Sequence, residues 1–277
     1  MGSERTSAGA QLAASALARL AAASGDHARE LLVVGGLTPP LLAGDAPVGH
    51  LGTTDIDVLV EVALPYEEDD EGADYGWLER ALRDAGFEPV GAGATWATRA
   101  GPRVTIDLVC DRPGTAPGAM LTIRGCTDAC GSNLLGPRAA RCDAVTRTLP
   151  VPGSSATVDV PFAGLGGFLL AKASAASIRQ VEKDFYDFYY VVIHNDAGGP
   201  RAAGEAMRAG GCGAYAVEFA DAVTYVLREA VRGDRPAAAA YATSMERAGD
   251  DTDPDVLRED ATSAAYAVAR VLGLDLP

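Results

Sequence analysis

The sequence predicts an α/β (α+β) fold, with a strand-bearing first half and a helical second half. Two observations carry that reading. Up to Val160, short β-branched or apolar runs alternate with amphipathic stretches, whereas from Phe162 onward apolar residues recur at helical spacing. Pro161 marks the change, which gives 1–160 as an α/β domain and 161–277 as a helical domain. A length of 277 residues accommodates one large domain or two small ones.

Ala8–Ser24 reads as a helix, with apolar residues three and four apart. Leu31–Val34 is a short buried strand that ends at Gly35-Gly36. Leu37–Leu42 suits a short helix, because Pro39 and Pro40 are tolerated in a first turn. Asp55–Val62 is β-branched and apolar apart from its carboxylates, and the acidic run Glu67–Glu71 is a solvated loop. Tyr75–Gly86 is an amphipathic helix closed by Gly86. Strands follow at Thr95–Thr98 and Val104–Val109, joined by a turn at Ala100-Gly101-Pro102. Asp111–Arg141 is rich in Gly and Pro and carries no clear element, whereas Thr146–Val151 and Thr157–Val160 read as strands. The helical half is interrupted by loops around Asn195–Pro200 and Gly249–Pro254.

Composition narrows the function. A chain that is 48% hydrophobic and 22% charged fits a folded soluble protein. The formal net charge of −15, without any Lys/Arg run, argues against a broad nucleic-acid-binding surface and leaves room only for a local basic patch. Ala10–Ala23 contains Arg19 and reads as a helix, not as the apolar core of a signal peptide. No apolar run is long enough to span a bilayer, so no membrane partner and a cytoplasmic location are the default expectations. Five cysteines, an odd number, argue against a disulfide framework. Cys126, Cys130 and Cys142 lie close together, but their spacing is not that of a zinc finger and no His is nearby, so buried or surface thiols are the ordinary reading.

The most informative stretch is Thr54-Asp55-Ile56-Asp57-Val58. Strand side chains alternate with period two, so Asp55 and Asp57 project from one face. Carboxylates this close repel unless a cation lies between them, and oxygen-only ligands suit a hard ion such as Mg²⁺, which also binds substrate phosphates. The upstream glycine pair lets backbone approach a ligand closely. Asp107 is a lone carboxylate inside the apolar run Val104–Val109, where an unpaired charge is costly, and it is the candidate third acid. Ions held between such acids bind a triphosphate, lower the pKa of an attacking hydroxyl and stabilise the leaving pyrophosphate, while one acid can double as the base. Singly, a D-x-D in a strand is ordinarily a surface feature and a Gly-Gly ordinarily a turn. The information lies in the order strand, Gly-Gly, helix, D-x-D strand, Asp strand.

These motifs resemble those of the nucleotidyltransferase superfamily of DNA polymerase β type, and within it the AbiEii-like group of type IV toxin–antitoxin proteins. The first motif of that group, a glycine pair followed by T/S-x-D-x-D, corresponds to Gly35-Gly36 and Thr53-Thr54-Asp55-Ile56-Asp57. A later Lys, an Arg and a K-D-x-x-D run correspond to Lys172, Arg179 and Lys183-Asp184-Phe185-Tyr186-Asp187. The resemblance implies a nucleotidyltransferase-type mixed sheet with flanking helices and a helical half that completes the cleft. It also implies that Asp55, Asp57 and Asp107 would bind Mg²⁺, with two ions as one arrangement. Gly35, Gly36, Thr53, Thr54 and Lys172 would contact the NTP, and Asp184 or Asp187 would supply the later acid. Three apart on a helix, those two share a face. The plainer reading is that Lys172, Arg179, Lys183 and Asp187 are ordinary helix-surface ion pairs.

Two features depart from the pattern. The segment between Gly36 and Asp55 is long, and Leu51 stands where an Arg often precedes the acidic motif, with His50 beside it as a substitute contact or an incidental loop residue.

The implied activity is Mg²⁺-dependent transfer of a nucleoside monophosphate from an NTP. The acceptor would be tRNA or another RNA and the partner a cognate antitoxin. Arg99, Arg103, Arg124, Arg138 and Arg141 are the candidates for an RNA groove. An acidic chain equally suits a small cationic acceptor of the antibiotic type, with Glu67–Asp74 lining the mouth. A degenerate, non-catalytic nucleotide-binding protein is the third reading. Gly164-Leu165-Gly166-Gly167 lacks the full dinucleotide-loop pattern, and close helix packing explains its glycines better. The aromatic residues of Phe185–Tyr190 have helical spacing and are mostly core, with one ring able to stack on a base.

Overall fold

The computed structural model describes residues 7–52, 55–60, 74–112, 114–134, 136–210 and 216–277. Among the described residues, helices pack with one mixed sheet, the α/β class that the sequence predicts. Its contacts divide it into two units. The first comprises Met1–Leu37, Gly52–Leu135 and Val145–Phe162, and the second Thr38–Leu51, Gly136–Ala144 and Ala163–Pro277.

The first unit holds the sheet. Helix α1 (Ser7–Ser24) forms because Ala13, Ala16, Leu17, Leu20 and Ala21 make one apolar stripe, and all five are buried. Strand β1 (Leu31–Val33) is fully apolar and central, antiparallel to β2 (Asp55–Val60) and parallel to β9 (Thr157–Phe162). Helix α3 (Gly76–Asp84) buries Trp77, Leu78, Ala81 and Leu82, and the chain turns out of it at Gly86 with φ +88°. Then come β3 (Phe87–Val90), β4 (Thr95–Thr98) and β5 (Thr105–Cys110), the last parallel to β2. The sheet order is β3-β4-β5-β2-β1-β9-β8, where β8 is Val145–Pro150. Short strands β6 (Met120–Thr122) and β7 (Cys130–Asn133) attach through the β7–β5 pairing.

Three of these strands carry no clear signal in the sequence. Strand β3 contains Glu88 and Pro89, which a strand tolerates only at an edge, and an edge is where it lies. Strands β6 and β7 form through tertiary pairing within the Gly/Pro-rich stretch. Gly131 sits against β5 so closely that a Cβ there would lie 2.0 Å from Cys110 Sγ.

The second unit is helical. It contains α2 (Pro39–Leu42), α4 (Leu165–Arg179), α5 (Glu182–His194), α6 (Gly199–Gly210), α7 (Ala216–Val231), α8 (Pro236–Ala248) and α9 (Pro254–Leu272). The aromatic run of α5 is core, as its spacing predicts, and the Tyr189 hydroxyl donates to the Val226 carbonyl at 3.1 Å. The glycines that open α4 have a packing role. A Cβ at Gly166 would lie 2.3 Å from the Ala206 carbonyl oxygen, and one at Gly167 would lie 2.4 Å from Ala140 Cα. The start of that helix is capped from within the chain, because the Gly167 N–H donates to Asp143 Oδ2 at 3.0 Å. Burial pushes the Asp143 carboxyl above its ordinary pKa, against the lowering effect of the backbone N–H groups of Gly167, Gly166 and Gly164. Because the interfering atom at Gly166 is backbone, Gly166→Ala is expected to cost about 1–3 kcal/mol, read as an earlier urea midpoint by far-UV circular dichroism.

No helix among the described residues is long and apolar enough to cross a membrane. Cys142 is disulfide-bonded, which corrects the expectation drawn from the odd cysteine count; an odd number only forbids pairing all five. As a disulfide sulfur it is not a thiolate, so the zinc set Cys126, Cys130 and Cys142 loses a ligand. Burial pushes the Cys110 thiol up to about 12 and the Cys126 thiol up to about 11.

Candidate active site

The acidic face is built by strand register. Asp57 on β2 is the direct partner of Asp107 on β5, and Asp107 is in turn the partner of Thr95 on β4. One row along, Asp55 pairs with Thr105 and Thr105 with Ala97. In both β2 and β5 the acids alternate with fully buried Ile56, Val58, Ile106 and Leu108, so Asp55, Asp57, Thr105 and Asp107 share the opposite face and are partly exposed. The three predicted acids therefore lie on one face of two adjacent strands, in two successive rows.

Two threonine hydroxyls orient this face. Thr95 Oγ1 donates to Asp107 Oδ1 at 2.5 Å, and Thr105 Oγ1 donates to Asp55 Oδ1 at 2.7 Å. Sequence reasoning missed both. Thr105 was within reach of it, because a residue two before Asp107 in a strand shares its face; Thr95 is brought in by a pairing that the sequence does not state.

The first glycine of the pair belongs to the same construction. The Val34 N–H donates to the Asp57 carbonyl at 3.0 Å, which fixes the chain leaving β1 against β2. A Cβ at Gly35 would lie 1.8 Å from Asp57 Oδ2 and 2.5 Å from its Cγ. Only glycine leaves room for the Asp57 carboxylate here. Gly35→Ala is accordingly expected to displace that carboxylate and to slow any reaction that depends on it by about 10²-fold, the scale of an ångström-size misplacement, while the fold is kept. The transfer assay described below, run beside a melting curve, checks this. Gly36 is also buried. Thr53 and Thr54 lie outside the described residues, as does Glu67–Asp74 apart from Asp74.

The donor set suits a hard divalent cation, since every side-chain ligand it offers is a carboxylate or hydroxyl oxygen. Asp57 and Asp107, side by side on neighbouring strands, are the two best placed to hold one. Among the described residues, no three His, Cys, Asp or Glu side chains are gathered at metal-holding distance. Asp55, turned to Thr105, stands one row from the pair.

The later motif forms an ionic cluster inside the helical unit. Lys172 on α4 is 5% exposed, and Asp184 and Asp187 on α5 are 1% and 0% exposed. Lys172 Nζ donates to Asp187 Oδ2 at 2.9 Å and to Asp184 Oδ1 at 3.4 Å. Arg179 Nη2 donates to Asp184 Oδ1 at 2.8 Å from a half-exposed position. His50 Nε2 lies 3.0 Å from Asp187 Oδ1; since a carboxylate only accepts, this nitrogen carries the proton. The His50 ring stacks on Tyr186 at 5.0 Å, and the Tyr186 hydroxyl accepts the Leu51 N–H. Asp184 and Asp187 thus share one face, as their spacing predicts. These are interior charges and not surface pairs. His50, which reads as a phosphate contact or an incidental loop residue in the sequence, is tied to Asp187.

Of the five arginines proposed for an RNA groove, Arg99, Arg103 and Arg124 belong to the first unit, and Arg138 and Arg141 to the second. Comparison with known proteins finds no family model that matches the chain and no curated protein that matches it significantly.

Proposed function

We propose that the protein is a Mg²⁺-dependent nucleotidyltransferase that moves a nucleoside monophosphate from an NTP to an acceptor hydroxyl. The observation that carries this reading is the row Thr95–Asp107–Asp57, with Gly35 left bare beneath the Asp57 carboxylate. That row is the arrangement expected if Gly-Gly, D-x-D and the later strand Asp form one site. Bound Mg²⁺ would neutralise triphosphate oxygens and lower the pKa of the attacking hydroxyl. Asp57 and Asp107 would hold it, with Asp55 as the third acid. Thr95 fixes the rotamer of Asp107, so that carboxylate needs little reorganisation when substrate binds, whereas Asp55, held by Thr105 one row away, would turn toward the pair. One of the three carboxylates takes the proton of the acceptor hydroxyl as its oxygen attacks the α-phosphorus and pyrophosphate leaves.

An RNA acceptor, a toxin role and an antitoxin partner follow from the resemblance to the AbiEii-like group. The net charge of −15 favours a small cationic acceptor instead. A non-catalytic nucleotide-binding role is favoured by one observation, Leu51 in the place where an Arg often precedes the acidic motif. Incubation with Mg²⁺ and each α-labelled NTP, with total RNA in one arm and a polyamine-like aminoglycoside in the other, separates these readings. Label on RNA supports the first and label on the aminoglycoside the second. NTP binding without label transfer or pyrophosphate release supports the third and sinks the proposed reaction.

A further inference from the structure

We propose that the first unit carries a second ligand site, built from residues other than those of the acidic face, for a small molecule with an apolar body and a carboxylate. A cavity of about 450 Å³ lies between α1, the end of α3 and the turn joining β4 to β5. That volume falls in the ordinary range of small-molecule sites. Leu12, Pro102 and Val104 supply apolar wall, Ser15 a hydroxyl, and Arg19 and Arg99 two guanidinium groups. Among the described residues, no carboxylate lines it.

The sequence of α1 accounts for one side. Its core stripe is Ala13, Ala16, Leu17 and Leu20. Leu12, Ser15 and Arg19, spaced by three and four, form a second stripe that lies on the cavity and not in the core. Leu12 remains 39% exposed at this face.

The charges point to the class of ligand. Acidic residues outnumber basic ones by 38 to 23, and Arg83, Arg179, Arg201, Arg232, Arg235 and Arg258 each pair with an acid. Arg19 and Arg99 do not: among the described residues the Arg19 side chain makes no hydrogen bond or ion pair, and the Arg99 side chain bonds only carbonyls. Arg99 Nη2 donates to the Arg83 carbonyl at 2.9 Å and Nε to the Phe87 carbonyl at 3.4 Å, which anchors its guanidinium and leaves other N–H donors of its planar fork for a ligand. A pre-positioned Arg beside a half-buried one, over an apolar wall, suits bidentate capture of a planar carboxylate.

Titration calorimetry with 1-naphthoate as the probe tests the site, with neutral 1-naphthamide as its isostere. Saturable one-site binding of naphthoate is expected, weakened about tenfold by Arg19→Gln, the scale of one charge-assisted hydrogen bond. Naphthamide is expected to bind the wild-type protein at least as weakly as naphthoate binds Arg19→Gln. Because Arg19 makes no described bond, that variant should keep the wild-type circular dichroism spectrum. Ser15→Trp, which fills the cavity, provides a second and independent block. Absence of saturable naphthoate binding up to about 10 mM, or binding unaltered by both Arg19→Gln and Ser15→Trp, overturns the proposal.

Discussion

Asp57→Asn and Asp107→Asn are each expected to lower nucleotidyl transfer by about 10²–10³-fold while the melting temperature stays level or rises. The two effects have one origin. The carboxylates are direct partners across β2 and β5, and like charges at a paired position repel. An asparagine keeps the size and the hydrogen-bonding oxygen that Thr95 addresses at Asp107, and it removes one charge. A residue present only to hold the sheet together would lose stability on this change. A residue that exists to hold a cation would lose function and keep or gain stability. The comparison of transfer rate with thermal midpoint, variant by variant, separates the two. Equal transfer by wild type and both variants would remove these acids from the chemistry.

Lys172→Met carries the second large effect, on stability. Its ammonium lies between Asp187 and Asp184, and without it two almost fully buried carboxylates share only Arg179 and His50 among the partners named above. Removing one partner of a buried ionic cluster costs about 3–5 kcal/mol, because the remaining charge stays desolvated. The loss should fall on the helical unit. Both tryptophans, Trp77 and Trp96, lie in the first unit, whereas the second unit supplies most of the helix. Urea unfolding followed at 222 nm is therefore expected to shift earlier in Lys172→Met, and the tryptophan fluorescence transition to move less. Adding Asp184→Asn and Asp187→Asn should restore part of the loss, since replacing a whole buried ionic set costs less than breaking it. A change below about 1 kcal/mol at 222 nm would place the cluster in the range of surface pairs.

The acidic face was legible because strand alternation is local: Asp55, Asp57 and Asp107 declare their faces through Ile56, Val58, Ile106 and Leu108. The pairing of Asp57 with Asp107, and the arrival of Thr95 beside them, depend on contacts between segments far apart in sequence, which no local pattern encodes. The same applies to His50, whose partner Asp187 lies 137 residues away. Strand β3 was hidden by Glu88 and Pro89, and β7, with the sequence Cys-Gly-Ser-Asn, has no strand propensity of its own. The glycines that open α4 are legible as packing residues, but the cap of that helix, Asp143, comes from a separate segment.

The central claim is that Asp57 and Asp107 form the cation seat of a nucleotide site. Paramagnetic resonance of Mn²⁺, titrated into the protein with a non-hydrolysable NTP, tests it without reference to any acceptor. Bound Mn²⁺ that depends on the nucleotide, and that is lost when Asp57→Asn and Asp107→Asn are combined, is the expected result. Mn²⁺ binding of equal strength in wild type and the double variant, or none in either, would contradict it.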